Sequence, residues 1–179
     1  MRSNPPTVLI SRDQIHAAVV RLASEMRRDY QGKAVLLVGA LKGAFMFLAD
    51  LVRQLDLPTE IAFIELSSNG SDTENQDTIR VLHDLQTEIR DREVVLIENI
   101  IERGHSTIFL LQHLAPRQPA SLRLCTLLDK PARREVLLTP DYCGFTIPNV
   151  FVVGYGMDWN EQYRHLPDIC ILADVDQSR

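Results

Sequence analysis

Residues 94–107 read Val-Val-Leu-Ile-Glu-Asn-Ile-Ile-Glu-Arg-Gly-His-Ser-Thr. The stretch begins as an apolar strand, continues through an acidic-polar pair and a short loop with one glycine, and ends in a hydroxyl pair that opens a helix. Backbone N–H groups of such a turn and of the first helical turn have no intrahelical partner, so they bind anions. The acidic side chains upstream fit a ligand in which a divalent cation or sugar hydroxyls accompany the phosphate. A phosphorylated sugar meets that description.

The same alternation of apolar strand and helix recurs on both sides of this stretch. Ala34–Val38 has the continuous apolar character of a strand buried on both faces, and Ser121–Leu128 is predicted as a third strand. Helices are predicted over Ala44–Gln54 and Thr107–Leu114. Strands that alternate with helices form parallel βαβ units, so the sequence predicts an α/β fold with a mainly parallel sheet between helices.

The remaining elements are shorter or lie near the N-terminus. Ser11 and Gln14 form a capping box at the start of an amphipathic helix predicted over residues 12–29. We expect further strands at Thr7–Ile10, Glu60–Leu66, Thr78–His83 and Val150–Val153, the last as the fourth strand of the apolar series. The side chains expected to face inward from the helix at 44–54 are Phe45, Leu48, Ala49 and Val52.

Several unusual loops follow the predicted strands. Ligands of parallel sheets bind beyond the carboxyl ends of the strands. We therefore expect the loops at 39–43, 98–106 and 154–164 to meet Lys130 at one edge of the sheet. The pair Ile100-Ile101 lies inside the polar turn, which indicates that this loop folds back onto the protein.

Composition and charge argue against several functional classes for this protein. The chain has 179 residues, 45% hydrophobic, and a net charge of −5, which argues against a general nucleic-acid binder. We expect one domain over residues 1–179. No signal peptide is visible and no stretch reaches the roughly 20 apolar residues of a membrane span. The three cysteines have no metal-ligand spacing and are interpreted as reduced thiols, which favours the cytoplasm.

Taken singly, the candidate site residues are not diagnostic. The glycines around Lys42 allow close backbone approach to a phosphate, yet an ordinary helix entry has the same composition. Asp158 and Arg164 lie in one loop and could pair with each other. The sequence contains no Walker loop, no Gly-x-Gly-x-x-Gly motif and no Gly-x-Ser-x-Gly elbow, which favours a ligand that brings its own phosphates and metal.

Residues 7–172 resemble bacterial hypoxanthine-guanine phosphoribosyltransferases, which have the type I phosphoribosyltransferase fold with a small hood over the sheet edge. The segments that carry the resemblance are Leu37–Phe45, Cys125–Pro131, Gly144–Pro148, Val152–Asp158 and Tyr163-Arg164. The resemblance implies Mg²⁺-dependent transfer of a phosphoribosyl group from phosphoribosyl pyrophosphate to hypoxanthine or guanine. It also implies a flexible lid at about 67–77, loose termini, and a homodimer or homotetramer.

The resemblance assigns the residues of the pyrophosphate and purine sites. The pyrophosphate loop corresponds to Leu41-Lys42-Gly43, often with a cis peptide bond between Leu41 and Lys42, and Arg164 is implied as a further pyrophosphate contact. Lys130 matches the lysine that binds the purine 6-oxo group. The aromatic stacked on the base matches Phe151, the backbone at its edge matches Val152, and the magnesium ligand matches Asp158.

The sugar-phosphate motif departs from the family pattern Glu-Asp-Ile-Ile-Asp-Thr-Gly-x-Thr. Residues matched to this motif for ribose and phosphate binding are Glu98, Asn99, Arg103, Gly104, His105 and Ser106. Asn99 replaces a carboxylate, and Glu102 replaces the aspartate that acts as the base at purine N7. Misplacing that base by about 1 Å can cost roughly 100-fold in rate. Arg103 replaces a threonine and could bind the phosphate or pair with Glu102. In the lid, Asn69 replaces a tyrosine.

Two hypotheses follow from these departures. The first is a working purine salvage enzyme with tolerated variation, in which Glu102 is the catalytic base. The second is a catalytically weakened or inactive homologue that binds purine nucleotides in a regulatory or altered-substrate role. Both imply small-molecule ligands and neither implies a nucleic-acid or membrane partner.

Overall fold

The computed structural model describes residues 5–68 and 79–172 of the chain. Its strands are β1 (Thr7–Ile10), β2 (Val35–Leu41), β3 (Thr59–Ser68), β4 (Ile79–His83), β5 (Glu93–Ile101), β6 (Ser121–Asp129), β7 (Tyr142–Thr146), β8 (Val152–Val153) and β9 (Ile169–Ile171). Its helices are α1 (Arg12–Asp29), α2 (Phe45–Leu55) and α3 (His105–Leu114), with short 3₁₀ turns at Ala115–Arg117 and Pro131–Arg133.

Six strands form a central sheet in the order β4-β3-β2-β5-β6-β7. All neighbouring pairs are parallel except β3 and β4, which run antiparallel. The apolar strands β2, β5 and β6 lie side by side in the middle, where both faces are covered. The predicted α/β class with a mainly parallel sheet is therefore confirmed, although β7 and β9 had not been predicted.

A second, three-stranded antiparallel sheet has the order β1-β9-β8. It joins the two ends of the described chain, since Thr7 pairs with Ile171 and Val152 pairs with the same residue. The strand expected at Val150–Val153 is present over Val152–Val153, but it belongs to this small sheet and not to the central one. This strand has only two residues and its partner is β9, a long-range pairing that no local pattern indicates.

Helices cover both faces of the central sheet. Helix α1 begins at the capping box formed by Ser11 and Gln14, as predicted, and packs with α2 on one face. Helix α3 packs on the other face. The inward face predicted for α2 was wrong in part: Phe45 is 38% exposed, and the buried residues are Phe47, Leu48, Leu51 and Leu55. Because this helix is apolar on several sides, composition alone does not select the buried one.

Two strands run further than predicted toward their carboxyl ends. Strand β2 continues through Gly39 to Leu41, and β5 continues through Glu98 and Asn99 to Ile101. The polar residues of β5 were predicted as loop, but they pair with β6, Glu98 opposite Thr126. Ile100-Ile101 is therefore the end of a strand rather than a folded-back loop.

Ser67 and Ser68 end β3, while positions 69–77 of the expected lid, including Asn69, lie outside the described residues. All three cysteines are free. None of the helices within 5–68 and 79–172 is long and apolar enough to cross a membrane.

Candidate active site

A cleft with a volume of about 580 Å³ lies beyond the carboxyl ends of β2 and β5. It brings together the loops that the sequence predicted to converge. Its lining residues are Ala40, Leu41, Lys42, Gly43, Leu66, Glu98, Asn99, Ile100, Glu102, Ser106, Leu110, Phe151, Val152, Met157, Asp158 and Arg164. Polar and charged groups from three segments of the chain thus face one open cleft.

The floor of the cleft carries Glu98 at the end of β5. Its Oε1 accepts a hydrogen bond from the Thr107 hydroxyl at 3.3 Å. Burial raises the pKa of Glu98 to about 7, and the Thr107 hydrogen bond opposes part of that shift. A carboxyl group in this environment changes its charge near neutral pH.

Asn99 lies next to Glu98 and is 2% exposed. Its Nδ2 donates a hydrogen bond to the Tyr155 carbonyl at 3.0 Å. Its Oδ1 is buried and has no hydrogen-bond partner among the described residues. Asn99 therefore ties the end of β5 to the turn at 154–157, which follows β8.

The turn at 154–157 also packs directly on the loop after β2. A Cβ atom at Gly156, where φ is +95°, would lie 2.3 Å from the Gly43 carbonyl oxygen. The peptide bond between Leu41 and Lys42 in that loop is cis, as the resemblance implied. Only glycine at 156 permits this approach of the two backbones.

Charged side chains fill the mouth of the cleft near Lys42. Arg164 donates to an Asp158 carboxylate oxygen at 2.9 Å and to the Gly156 carbonyl at 2.8 Å. Lys42 Nζ lies 3.3 Å from Glu161 Oε1, and Glu161 Oε2 lies 3.3 Å from Arg164 Nη2. The alternative that Asp158 and Arg164 pair with each other is thus realised, within a larger cluster that includes Glu161.

Lys130, which was expected at this edge, is not a lining residue of the cleft and lies behind Glu102, with which it forms an ion pair. Lys130 is 1% exposed, and its ammonium group bonds Glu102 Oε1. Arg133 Nη1 lies 3.5 Å from Glu102 Oε2. A buried ammonium group needs an ion-pair partner, and Glu102 supplies it for Lys130.

The Arg134 guanidinium holds the backbone around Glu102. It donates to the Glu102 carbonyl at 3.0 Å and to the Leu138 carbonyl at 2.6 Å, and it bonds the Asp129 carboxylate. This single side chain joins the end of β5, the end of β6 and the segment that follows. The loop carrying Glu102 therefore has a fixed position.

The aromatic wall is formed by Phe151, whose ring meets Trp159 edge-to-face at a centroid distance of 5.2 Å and an interplanar angle of 82°. That geometry is favourable for aromatic pairs and restrains the Phe151 ring. Val152 follows directly and lines the same cleft.

The side chains of Arg103 and His105 lie outside the cleft lining. Both pair with Glu135, Arg103 Nε at 3.4 Å and His105 Nε2 at 2.8 Å. Arg103 thus pairs with Glu135 and not with Glu102. Gly104, with φ at +90°, is the N-cap of α3, and Ser106 in the first turn of this helix lines the cleft.

Three residues of the site were not found from the sequence. Glu161 lies in a polar loop, where a solvent-exposed acidic residue is common and does not by itself indicate a site. Its position in the sequence is midway between Asp158 and Arg164. Arg134 and Glu135 contact the site only through long-range packing, and no local pattern indicates them.

Comparisons with known proteins agree on one family. Residues 11–160 match the phosphoribosyl transferase domain model. A hypoxanthine phosphoribosyltransferase of Haemophilus influenzae is 41% identical over 169 residues, which is 93% of this chain and 94% of that protein. The bifunctional protein TilS/HprT of Listeria innocua is 41% identical over 96% of this chain, which spans only 26% of that longer protein.

Solved structures give the same result. A hypoxanthine-guanine phosphoribosyltransferase from Bacillus anthracis is 39% identical with a TM-score of 0.87, covering 96% of this chain and 99% of that one. A hypoxanthine phosphoribosyltransferase from Staphylococcus aureus is 39% identical with a TM-score of 0.88, covering 92% and 90%. Fold, cleft and similarity together show that the chain belongs to the phosphoribosyltransferase family and is an enzyme of its hypoxanthine-guanine branch.

Proposed function

We propose that this chain is a purine salvage enzyme that transfers the phosphoribosyl group of phosphoribosyl pyrophosphate to hypoxanthine or guanine, giving IMP or GMP and pyrophosphate. The observation that carries the proposal is that Lys42 and Arg164 lie in the same cleft as Phe151 and Glu102, with Lys130 buried behind Glu102. Cationic groups suit the phosphates, and an aromatic wall beside a buried ammonium suits a flat 6-oxo heterocycle.

The purine end is assigned to Lys130, Phe151 and Val152. The Lys130 ammonium has three donors, of which Glu102 takes one, so it can also donate to a 6-oxo oxygen. The Phe151 ring supplies a stacking face, and the Val152 backbone contacts the edge of the base. Glu102 is the catalytic base that receives the proton of purine N7 while the ring nitrogen bonds to the sugar.

The sugar-phosphate end is assigned to the start of α3 and the end of β5. Backbone N–H groups of Arg103, Gly104 and His105 and the Ser106 hydroxyl would hold the 5′-phosphate, because a helix N-terminus favours anions. Glu98 and Asn99 would contact the ribose hydroxyls. The Arg103 guanidinium would need to leave Glu135 to add a charge contact.

The pyrophosphate end is assigned to Leu41, Lys42, Gly43 and Arg164. As the C1′–oxygen bond to pyrophosphate breaks and the C1′–nitrogen bond forms, Lys42 and Arg164 stabilise the charge of the leaving group. The arrangement of these groups in one cleft also positions the two substrates for reaction.

Asp158 is the residue assigned to Mg²⁺. Mg²⁺ is usually held by one or two carboxylates together with substrate phosphates. Asp158 fits this habit, because it offers one carboxylate in the cleft and the substrate phosphates would supply further oxygen ligands. When bound, the ion supplies charge neutralisation on the pyrophosphate.

We further propose that residues 1–179 act as one phosphoribosyltransferase domain and assemble as a homodimer or homotetramer. Ile61 and Phe63, which share one face of β3, are 41% and 45% exposed and provide apolar surface for assembly. The location proposed is the cytoplasm, since three free thiols suit a reducing compartment.

A transfer assay tests the proposed function. Purified chain is mixed with phosphoribosyl pyrophosphate, Mg²⁺ and hypoxanthine, guanine or adenine, and nucleotide formation is followed by absorbance. We expect turnover with the two 6-oxopurines and none with adenine, whose amino group cannot accept from Lys130. Lys130→Met should raise the KM for the purine. Calorimetric binding of GMP without any turnover would instead favour a non-catalytic nucleotide-binding protein.

A further inference from the structure

Glu161 occupies a distinctive position between two cations of the cleft. Its Oε1 lies 3.3 Å from Lys42 Nζ, and its two carboxylate oxygens lie 3.4 and 3.3 Å from Arg164 Nη2. Lys42 and Glu161 are 119 residues apart in the sequence. The Glu161 carboxylate thus joins the loop that carries Lys42 to the loop that carries Arg164.

These two cations are the ones assigned to pyrophosphate under the proposed function. A carboxylate and a phosphate each offer two oxygen atoms that accept hydrogen bonds from ammonium and guanidinium donors. Glu161 is anchored by its own backbone, since its N–H donates to Asp158 Oδ2 at 2.9 Å. Its side chain, however, is 64% exposed and can rotate toward solvent.

We propose that Glu161 is an internal competitor of pyrophosphate that occupies Lys42 and Arg164 in the free enzyme and is displaced when the phosphates bind. This inference rests on the proposed function. Each binding event must break the two ion pairs of Glu161, and each release of pyrophosphate restores them. Glu161 therefore weakens the binding of phosphoribosyl pyrophosphate and favours departure of the product.

The neighbouring groups make the competition specific to this carboxylate. Asp158 also pairs with Arg164, but it is less exposed and is held by the backbone N–H of Glu161. Asp158 does not contact Lys42 in any described hydrogen bond or ion pair. Glu161 is thus the acidic side chain that engages both cations at once.

The test measures inorganic pyrophosphate binding by calorimetry in the presence of Mg²⁺, together with transfer kinetics. Glu161→Gln should bind pyrophosphate roughly three- to tenfold more tightly than the wild type, the range expected for losing two exposed ion pairs. The KM for phosphoribosyl pyrophosphate and the inhibition constant of pyrophosphate should fall by the same factor, whereas the KM for hypoxanthine stays constant. A merely structural role of Glu161 would not separate the two substrates in this way.

Glu60→Gln is the matched control. Glu60 also pairs with an arginine, since its Oε2 lies 2.7 Å from Arg92 Nη2, but it is at the start of β3 and away from the cleft. It should leave pyrophosphate affinity unchanged. Glu161→Asp, which keeps the charge on a shorter side chain, should fall between wild type and Glu161→Gln. In a Lys42→Met background the gain from Glu161→Gln should shrink.

Two results would overturn the inference in different ways. If the wild type binds pyrophosphate and transfers phosphoribosyl groups while Glu161→Gln binds pyrophosphate equally or less tightly, the competition is disproved and the proposed function stands. If the wild type neither binds pyrophosphate nor transfers, the proposed function fails and the inference fails with it.

Discussion

At the scale of single residues, Asn99 shows how a departure from a family pattern changes its meaning once contacts are known. From sequence, this amide replaces a carboxylate and looks like a loss of charge near the sugar. In the fold, its Nδ2 donates to the Tyr155 carbonyl, which can only accept. An aspartate there would place a carboxylate oxygen against a carbonyl oxygen. Asn99 is therefore matched to this chain's own turn at 154–157.

Asn99→Asp is accordingly expected to weaken the enzyme, although it restores the family residue. The free energy of unfolding should fall by about 1–3 kcal/mol, because a buried hydrogen bond is replaced by a repulsive contact. Turnover should not rise. Urea unfolding and transfer kinetics measure the two effects, and Asn99→Ala, which removes the donor without adding charge, should lose less stability. A tenfold gain in turnover at unchanged stability would contradict this expectation.

Glu98 makes the stability of the protein depend on pH. Its pKa rises from 4.5 in the unfolded chain to about 7 in the folded one. Between pH 4.5 and about 7, the folded state therefore keeps a proton on Glu98 that the unfolded state has lost. The stability that this group contributes is fully present below pH 4.5. As pH rises from there toward 7, the free energy of unfolding falls by about 1.4 kcal/mol per pH unit. Urea unfolding from pH 5 to 8 should show this slope, flattening above 7. Glu98→Gln should remove it, and an identical slope in that variant would refute the assignment.

At the scale of elements, much of the fold could be predicted because its central strands and helices carry local patterns. Helix α1 was recognisable from its capping box, and β2 and β5 from their continuous apolar runs. The carboxyl end of β2 was missed because Gly39 is typical of a loop, although it pairs with β3. The carboxyl end of β5 was missed because Glu98 and Asn99 are polar, although Glu98 pairs with β6. The small sheet was missed because β1 pairs with β9 across most of the chain.

The site divides in the same way. Most residues assigned by resemblance line the cleft, including Lys42, Glu98, Asp158 and Arg164. Their ion pairs could not be predicted, because partners such as Glu135 for Arg103 are brought together only by tertiary packing. Charged side chains with several possible partners leave no periodic signal in a sequence.

The contact between the turn at 154–157 and the loop after β2 is tested by Gly156→Ala. A Cβ there would lie 2.3 Å from the Gly43 carbonyl oxygen, so the two backbones must separate. Because a displacement of about 1 Å can cost roughly 100-fold in rate, kcat/KM should fall at least tenfold. Gly32→Ala is the control: φ is +75° there, yet nothing lies within 4 Å of the added Cβ. It should cost only about 1–2 kcal/mol of stability from backbone strain and leave kcat/KM intact, and equal activity losses in both variants would contradict the contact argument.

At the scale of the whole molecule, the central sheet separates two apolar clusters that must form together. Leu36 and Leu37 are adjacent on β2, both 0% exposed, and point to opposite faces. Leu37 belongs to the cluster beneath α1 and α2, and Leu36 to the cluster beneath α3. One strand thus contributes to both layers, which supports a single cooperative domain.

Leu36→Ala and Leu37→Ala should each lower the free energy of unfolding by about 2–5 kcal/mol, since each leaves a cavity in a packed cluster. Urea unfolding followed by fluorescence and circular dichroism should show one transition with an unchanged slope for both variants. Val20→Ala, at a site 39% exposed on α1, should change stability by less than about 1 kcal/mol. The single domain would be disproved if urea unfolding showed two separate transitions and each variant shifted only one of them.

The Arg134 clamp has a practical consequence for enzymology. Because the guanidinium binds the main-chain carbonyl of residue 102, the loop keeps this anchor when the side chain at 102 is changed. A variant at this position loses the ion pair with Lys130 but not the backbone contact. A fall in kcat for Glu102→Gln would therefore reflect the lost carboxylate, as proton acceptor and as partner of Lys130, and not a displaced loop.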